Sequence, residues 1–347
     1  MRILRRLLIF GVVIVLAVSV LLGGFWLIDP VSFRLMVFQP VREVRLFAKE
    51  LGGLGSLHKI ERISLPAAEI VRIDKSHPDQ INIVADLYRP KSVDESVPGI
   101  LFLHGSSPYG RRAALVRMVG AELSTRGWIM LAPDARGYGD TDDPTLLDSA
   151  AGWAVDTDIR RLLTYLVNIP GVDPQRIVVI GHSIGAGHAL EGALDDVRVS
   201  ALILVGPARF RDGIEGSVGR WERVRYSADR RLNEVVSEEL LLKRYRNTDI
   251  AGFASGPLSK PGHIPILIVD GELEGSGNQI YLKSIVDQIA APVEYETLQD
   301  TGHYCGVRSF FGSNDMYYRE EQFRRFPDVV DRFLATYLAK GNKDVSE

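Results

Sequence analysis

Residues 176–190, RIVVIGHSIGAGHAL, leave a chain few folds to choose from. Ile177 to Ile180 is a short, largely β-branched run that favours a buried strand. It ends in Gly181-His182-Ser183-Ile184-Gly185, and small residues then open a helix. A serine with glycines two residues before and two after it sits on a sharp strand-to-helix turn. The glycines let strand and helix crowd together, so Ser183 Oγ stands exposed above a sheet. The amides at the start of that helix carry partial positive charge, which suits a developing oxyanion.

A chain of 347 residues holds one large α/β domain with an insertion, or two ordinary domains. Hydrophobic content of 46% and charged content of 24% describe a globular protein rather than a disordered one. The formal net charge of −3 gives no global pull toward nucleic acid. A single cysteine, Cys305, excludes an intrachain disulfide framework and any cysteine-rich metal site. There is no Walker-type loop, no H-E-x-x-H and no G-x-G-x-x-G. No metal and no organic cofactor is therefore expected.

Residues 7–28 carry no charge and would span about 33 Å as a helix, enough to cross a hydrocarbon core of about 30 Å. Arg2, Arg5 and Arg6 precede them in a basic tail, residues 1–6, and Asp29-Pro30 closes them. The pattern predicts one transmembrane helix with the basic end in the cytoplasm and the rest of the chain on the extracytoplasmic side. A cleaved signal peptide is the competing reading, with Ala17-Val18-Ser19 as its small-residue site. Residues 29–66 mix apolar side chains with Arg34, Arg42, Arg45 and Lys49 and read as a neck or interfacial segment.

From Glu69 onward strands and helices alternate. Strands are predicted at Glu69–Asp74, Ile81–Tyr88, Gly99–Leu103, Trp128–Ala132, the run ending at Ile180, Val199–Val205, Ile264–Val269 and Val293–Leu298. Helices are predicted at Ala113–Arg126, Ala151–Val167, after Ser183, and at Tyr318–Lys340. Such alternation implies a mostly parallel central sheet with helices on both faces. Ligands on such sheets sit beyond the carboxyl ends of the strands, and the polar motifs fall there.

Serine is a weak nucleophile that needs a base, and the base needs an orienting carboxylate. The carboxylates lie in Asp270-Gly271-Glu272-Leu273-Glu274, after the seventh strand. The histidine is His303 in Thr301-Gly302-His303, after the eighth. Together with His104-Gly105 after the third strand and Asp134-x-Arg136-Gly137-Tyr138-Gly139 after the fourth, these motifs resemble the α/β-hydrolase superfamily, especially its serine-esterase and serine-aminopeptidase-like members. The order Ser, acid, His is the order of that family. The resemblance spans residues 67–338 and implies Ser183 as nucleophile and His303 as general base. It implies Glu274 as the acid, where the family more often has aspartate. Glu272 and Asp270 stay open as alternatives. The backbone amides of Ile184 and Ser106 would hold the oxyanion.

His104 and His182 read as packing residues beside the site, Asp134 and Arg136 as a loop-stabilising pair, and Cys305 as a small buried filler. Residues 208–262, after the sixth strand, are expected to form a helical lid. Residues 209–246 hold ten basic and seven acidic side chains, either a face toward anionic headgroups or a solvated helical surface. Phe210, Trp221 and Tyr226 either line an acyl pocket or hold the lid down. Residues 339–347 are a polar tail. The expectation is a membrane-anchored serine hydrolase acting on a small or lipid-like acyl substrate, most simply a carboxylic ester. A peptidase or acyltransferase with the same triad is the first alternative, and a non-catalytic membrane-tethered binding module the second. A serine at the elbow argues against dehalogenase or epoxide-hydrolase chemistry, which the family runs with aspartate there.

Overall fold

The computed structural model describes residues 61–62, 68–93, 95–105, 109–146, 149–207, 247–261, 264–309, 316–318 and 320–338. The expected basic tail, transmembrane helix, neck and polar tail lie outside these residues, apart from Glu61–Arg62. Among the described residues no helix is long and apolar enough to cross a membrane.

Eight strands form one sheet: β1 Glu69–Ile73, β2 Ile83–Tyr88, β3 Val97–Leu103, β4 Ile129–Pro133, β5 Val172–His182, β6 Val199–Val205, β7 Ile266–Gly271 and β8 Val293–Leu298. Their spatial order is β1-β2-β4-β3-β5-β6-β7-β8. β1–β2 and β2–β4 pair antiparallel, and every later pair is parallel. The α/β expectation of a mostly parallel sheet therefore holds.

The inner strands read as near-continuous apolar runs because both faces of the sheet are covered there, while the edge strands β1 and β8 carry charged residues. In β3, Leu101 and Leu103 face one core while Ile100 and Phe102 face the other; in β5, Ile177 and Val179 oppose Val178 and Ile180 in the same way. The first core is closed by helices α2 Val155–Val167, α3 Ile184–Ala193, α4 Ile250–Ser255 and α5 Ser276–Val286. The second is closed by α1 Ala114–Thr125 and α6 Glu320–Leu338. Helix α6 places Phe323, Phe326, Val330 and Phe333 into that core, each fully enough to contribute about 1.5–3 kcal/mol from burial.

Differences from the sequence expectation have local causes. β5 begins at Val172 rather than near Arg176, because a polar extension through Asp173 pairs with β3 ahead of a register shift at Pro98/Gly99. Helix α2 begins at Val155, after a 3-10 turn at Ala150–Trp153 in which Gly152 presses on the Leu146 backbone. Tyr318 belongs not to the closing helix but to a three-stranded antiparallel sheet of Glu61–Arg62, Val307–Ser309 and Met316–Tyr318. Strands of two or three residues are too short to leave a period-2 signature. Most of the expected lid lies outside the described residues. Its last part, residues 247–261, joins the first core through Ile250, Ala254 and Leu258.

The elbow explains its glycines. A Cβ on Gly181 would lie 2.6 Å from Ala186 Cα, and one on Gly185 would lie 2.6 Å from the His104 carbonyl oxygen. Both contacts are with backbone, which has little room to yield. Gly185→Ala should therefore cost at least about 1–3 kcal/mol in chemical denaturation, whereas Gly277→Ala, in open space on α5, should be neutral or up to about 1 kcal/mol stabilising. Equal melting curves for the two variants would contradict this account of the elbow.

Candidate active site

Ser183 links the end of β5 to the start of α3 with φ 55° and ψ −119°, a left-handed conformation rare for any residue but glycine. Such a backbone costs about 1–3 kcal/mol and persists only where its surroundings hold it. Here the Ser183 amide donates to the Val205 carbonyl at 2.8 Å, and the Ser183 carbonyl accepts from the Ala186 amide at 3.0 Å. Ile184 is the first residue of α3, so its amide belongs to the first turn, which has no carbonyl of its own helix to bond. Ser106, the other expected oxyanion donor, lies outside the described residues.

His303 arrives on the loop after β8. Its Nδ1 donates to Glu274 Oε2 at 3.0 Å, which in the neutral ring leaves the lone pair on Nε2. Both side chains are partly buried. Glu274 closes the 3-10 turn Glu272–Glu274, and its Oε1 accepts from the Gly271 amide at 3.3 Å. The turn that carries Glu274 and the loop that carries His303 are pressed together. Leu273 N donates to Thr301 O at 2.9 Å, and a Cβ on Gly271 would meet Gly302 O at 2.6 Å. Gly206, with φ 49°, lies under the imidazole: a Cβ there would come within 2.8 Å of His303 Nδ1. The end of β6 thus holds the elbow through Val205 and seats the histidine on Gly206.

The three carboxylates after β7 take different partners. Glu274 is the one on His303. Glu272 Oε2 accepts from the Asp300 amide at 3.0 Å. Asp270 is buried, and its Oδ1 accepts from Thr297 Oγ1 at 2.8 Å and Tyr295 Oη at 3.0 Å. Burial pushes the Asp270 carboxyl up from the ordinary carboxylate range; the nearby Glu274 charge adds to this and the hydroxyl donors oppose it.

His104 Nδ1 donates to the Gly105 carbonyl at 2.6 Å and its Nε2 accepts from the Ala135 amide at 3.0 Å, which fixes a neutral ring that ties the loops after β3 and β4. Cys305 is buried. Asp134 and Arg136 do not pair with each other. Arg136 makes a two-pronged bond to Asp158 on α2, Nε to Oδ2 at 2.6 Å and Nη2 to Oδ1 at 2.8 Å. Asp134 is bound by Arg111, which also reaches Asp86 Oδ1 at 2.8 Å and Asp140 Oδ2 at 2.7 Å. Burial alone would lower the Arg111 pKa, but the surrounding carboxylates, Asp134 foremost, raise it above the ordinary arginine value. The same guanidinium holds the Asp140 carboxyl below its usual range. Sequence reasoning passed over Arg111, Asp158 and Gly206. An arginine pair beginning seven residues after His104, and a glycine directly after a buried strand, were the available signals.

A small cleft opens beside Ser183, walled by Gly105, Ala113, Leu115, Val116 and Tyr304. Among the described residues no group of three His, Cys, Asp or Glu side chains is arranged to hold a metal ion.

The sequence pattern of the alpha/beta hydrolase family matches residues 100–320. The chain belongs to that family. This α/β hydrolase is 30% identical over 142 residues to the quorum-quenching protein AidA of Acinetobacter baumannii, a match covering 40% of the chain and 44% of AidA. It spans less than half the length of the curated relatives it matches. Its fold is similar to a soluble variant of the monoglyceride lipase of Saccharomyces cerevisiae, with TM-score 0.57 at 12% identity over 80% of this chain and 98% of that one. It is also similar to Est1E of Butyrivibrio proteoclasticus, solved with ferulic acid, with TM-score 0.52 at 18% identity over 78% and 100%. At these identities the structural likeness concerns the fold.

A carboxyl raised by burial stabilises the folded state most at low pH, where it is protonated in both states, and loses that contribution as pH climbs through its raised value. Asp270→Asn removes this loss. The stability of D270N relative to wild type should therefore rise between pH 4 and pH 8 in thermal melts; a gap independent of pH would show that Asp270 titrates as an ordinary carboxyl.

Proposed function

We propose that this α/β hydrolase cleaves a carboxylic ester, or a related acyl bond, through an acyl-enzyme on Ser183. The observation that carries the reading is the strained elbow serine, which shares the end of β6 with a histidine whose Nδ1 proton is held by Glu274. In the proposed reaction Ser183 Oγ bonds to the substrate carbonyl carbon while His303 Nε2 takes the hydroxyl proton. The Ile184 and Ser106 amides hold the oxyanion. The tetrahedral centre collapses, the carbon–alkoxy bond breaks, and His303 returns the proton to the leaving alcohol. Water, deprotonated by His303, then releases the acid and restores Ser183. Glu274 keeps the imidazole in the Nδ1–H tautomer and stabilises its protonated form. The names of the similar proteins, an esterase and a monoglyceride lipase among them, favour an acyl ester of a small molecule over a peptide.

A fluorophosphonate probe should label wild type and not Ser183→Ala, and equal labelling of the two would overturn the serine mechanism. Glu274→Ala should lower kcat on p-nitrophenyl esters by roughly 10²–10⁴-fold, while Glu272→Ala should stay within about tenfold. Aminoacyl anilides run alongside separate esterase from peptidase.

Location is part of the same proposal. The uncharged run at residues 7–28, with Arg2, Arg5 and Arg6 directly before it and Asp29, Glu43 and Glu50 partly offsetting Arg34, Arg42, Arg45 and Lys49 after it, supports a single-pass anchor and an extracytoplasmic catalytic domain. A reporter active only outside the cytoplasm, fused after residue 347, should be active, and a silent fusion would reverse the orientation.

A further inference from the structure

We infer that His182, the residue before the elbow serine, is a positioning residue that sets the distance between Ser183 and His303; the inference rests on the reading of those two as nucleophile and base. His182 ends β5 and is 4% exposed. Its Nε2 lies 2.8 Å from the backbone carbonyl oxygen of His303, 121 residues further along the chain. A carbonyl only accepts, so the ring carries its proton on Nε2 and donates it. The His182 and His303 rings lie 4.7 Å apart between centroids, and Tyr304 packs 5.2 Å from the first and 5.3 Å, edge-on, from the second.

The other edge of the His182 ring faces the loop after β3. A Cβ on Gly105 would lie 2.8 Å from His182 Nδ1 and 3.0 Å from Ser183 Cβ. One side chain thus touches the loop expected to carry the oxyanion donor and bonds the loop that carries the base. Its own backbone leads directly into the nucleophile.

This contact supplies something Glu274 does not. The bond from His303 Nδ1 to Glu274 fixes how the imidazole is turned about its own bonds. It does not fix where the backbone of the His303 loop stands relative to β5. That loop is a run of tight turns, with positive φ at Asp300, Cys305 and Gly306 and local bonds from Cys305 N to Gly302 O and from Val307 N to Tyr304 O. These bonds shape the loop internally. The His182 bond ties it to the strand that leads into Ser183. Reacting groups must be held to within a fraction of an ångström, and a displacement of about 1 Å costs on the order of 10²-fold in rate. The lone pair that remains on His182, at Nδ1, faces the loop at Gly105.

The test compares His182→Phe, which keeps a ring and loses the donor, with His182→Gln, which keeps an N–H at similar reach. On the p-nitrophenyl ester turned over best by wild type, H182F should lose roughly 10–100-fold in kcat with KM changed less than about threefold, and H182Q should recover most of that loss. The acid limb of the kcat/KM profile should keep its midpoint in both variants, because His303 remains the titrating base. Wild-type kcat in H182F, equal losses in H182F and H182Q, or a displaced acid limb would each overturn the positioning role. A second measurement needs neither turnover nor a folded variant. Side-chain ¹⁵N–¹H spectra of histidine-labelled wild type should show His182 as the Nε2–H tautomer; the Nδ1–H tautomer would overturn the inference. The spectroscopic arm stands apart from the serine mechanism, which fails separately if Ser183→Ala labels like wild type.

Discussion

The close approach of β5 and α3 is the constraint on which the site depends. The β5 and α3 backbones meet at a distance that admits no Cβ on Gly181, the start of α3 meets the end of β3 at one that admits none on Gly185, and Ser183 takes a positive φ between these glycines. Neighbouring strands complete the arrangement. β3 supplies the carbonyls against which Gly185 packs, and β6 supplies the carbonyl that receives the Ser183 amide. The two apolar cores, one on each face of the sheet, provide the burial that keeps this strained turn in place.

Around the turn, three histidines have their ring protons assigned by what surrounds them. His104 donates from Nδ1 to a carbonyl, His182 from Nε2 to a carbonyl, and His303 from Nδ1 to a carboxylate. Only the partner of His303 is charged, and it is a carboxylate that gains when the ring becomes a cation. His104, donating to one backbone group and accepting from another, has no such partner among these bonds.

Much of this was legible in the sequence, for reasons that can be named. A parallel strand covered on both faces has to be a short run of large apolar residues, and each such run here ends in glycine, histidine or aspartate. That pattern marked the inner strands and the strand-end positions of Ser183 and Glu274, whereas His303 follows the mixed edge strand β8 and was marked by its Gly302-His303 motif. It was silent where partners come from separate stretches. Arg111 gathers Asp86, Asp134 and Asp140 from three parts of the chain. Sequence proximity paired Asp134 with Arg136, but two residues apart on a turning loop they point to different neighbours, Arg111 and Asp158. The order of preference among Asp270, Glu272 and Glu274 was likewise a matter of where each side chain points. The turn aims Glu274 at the imidazole, Glu272 at a backbone amide and Asp270 at two hydroxyls.

Gly206 carries a different lesson. It contributes no functional group, yet the imidazole edge that faces Glu274 rests where its side chain would be. The space it leaves empty is as much a component of the site as the atoms that surround it. A survey of substitutions scored by turnover would mark this position alongside the serine and the histidine, and one scored by chemical reactivity of side chains would never find it. Adding a single methyl group there would push on the His303 imidazole without removing any hydrogen-bonding group.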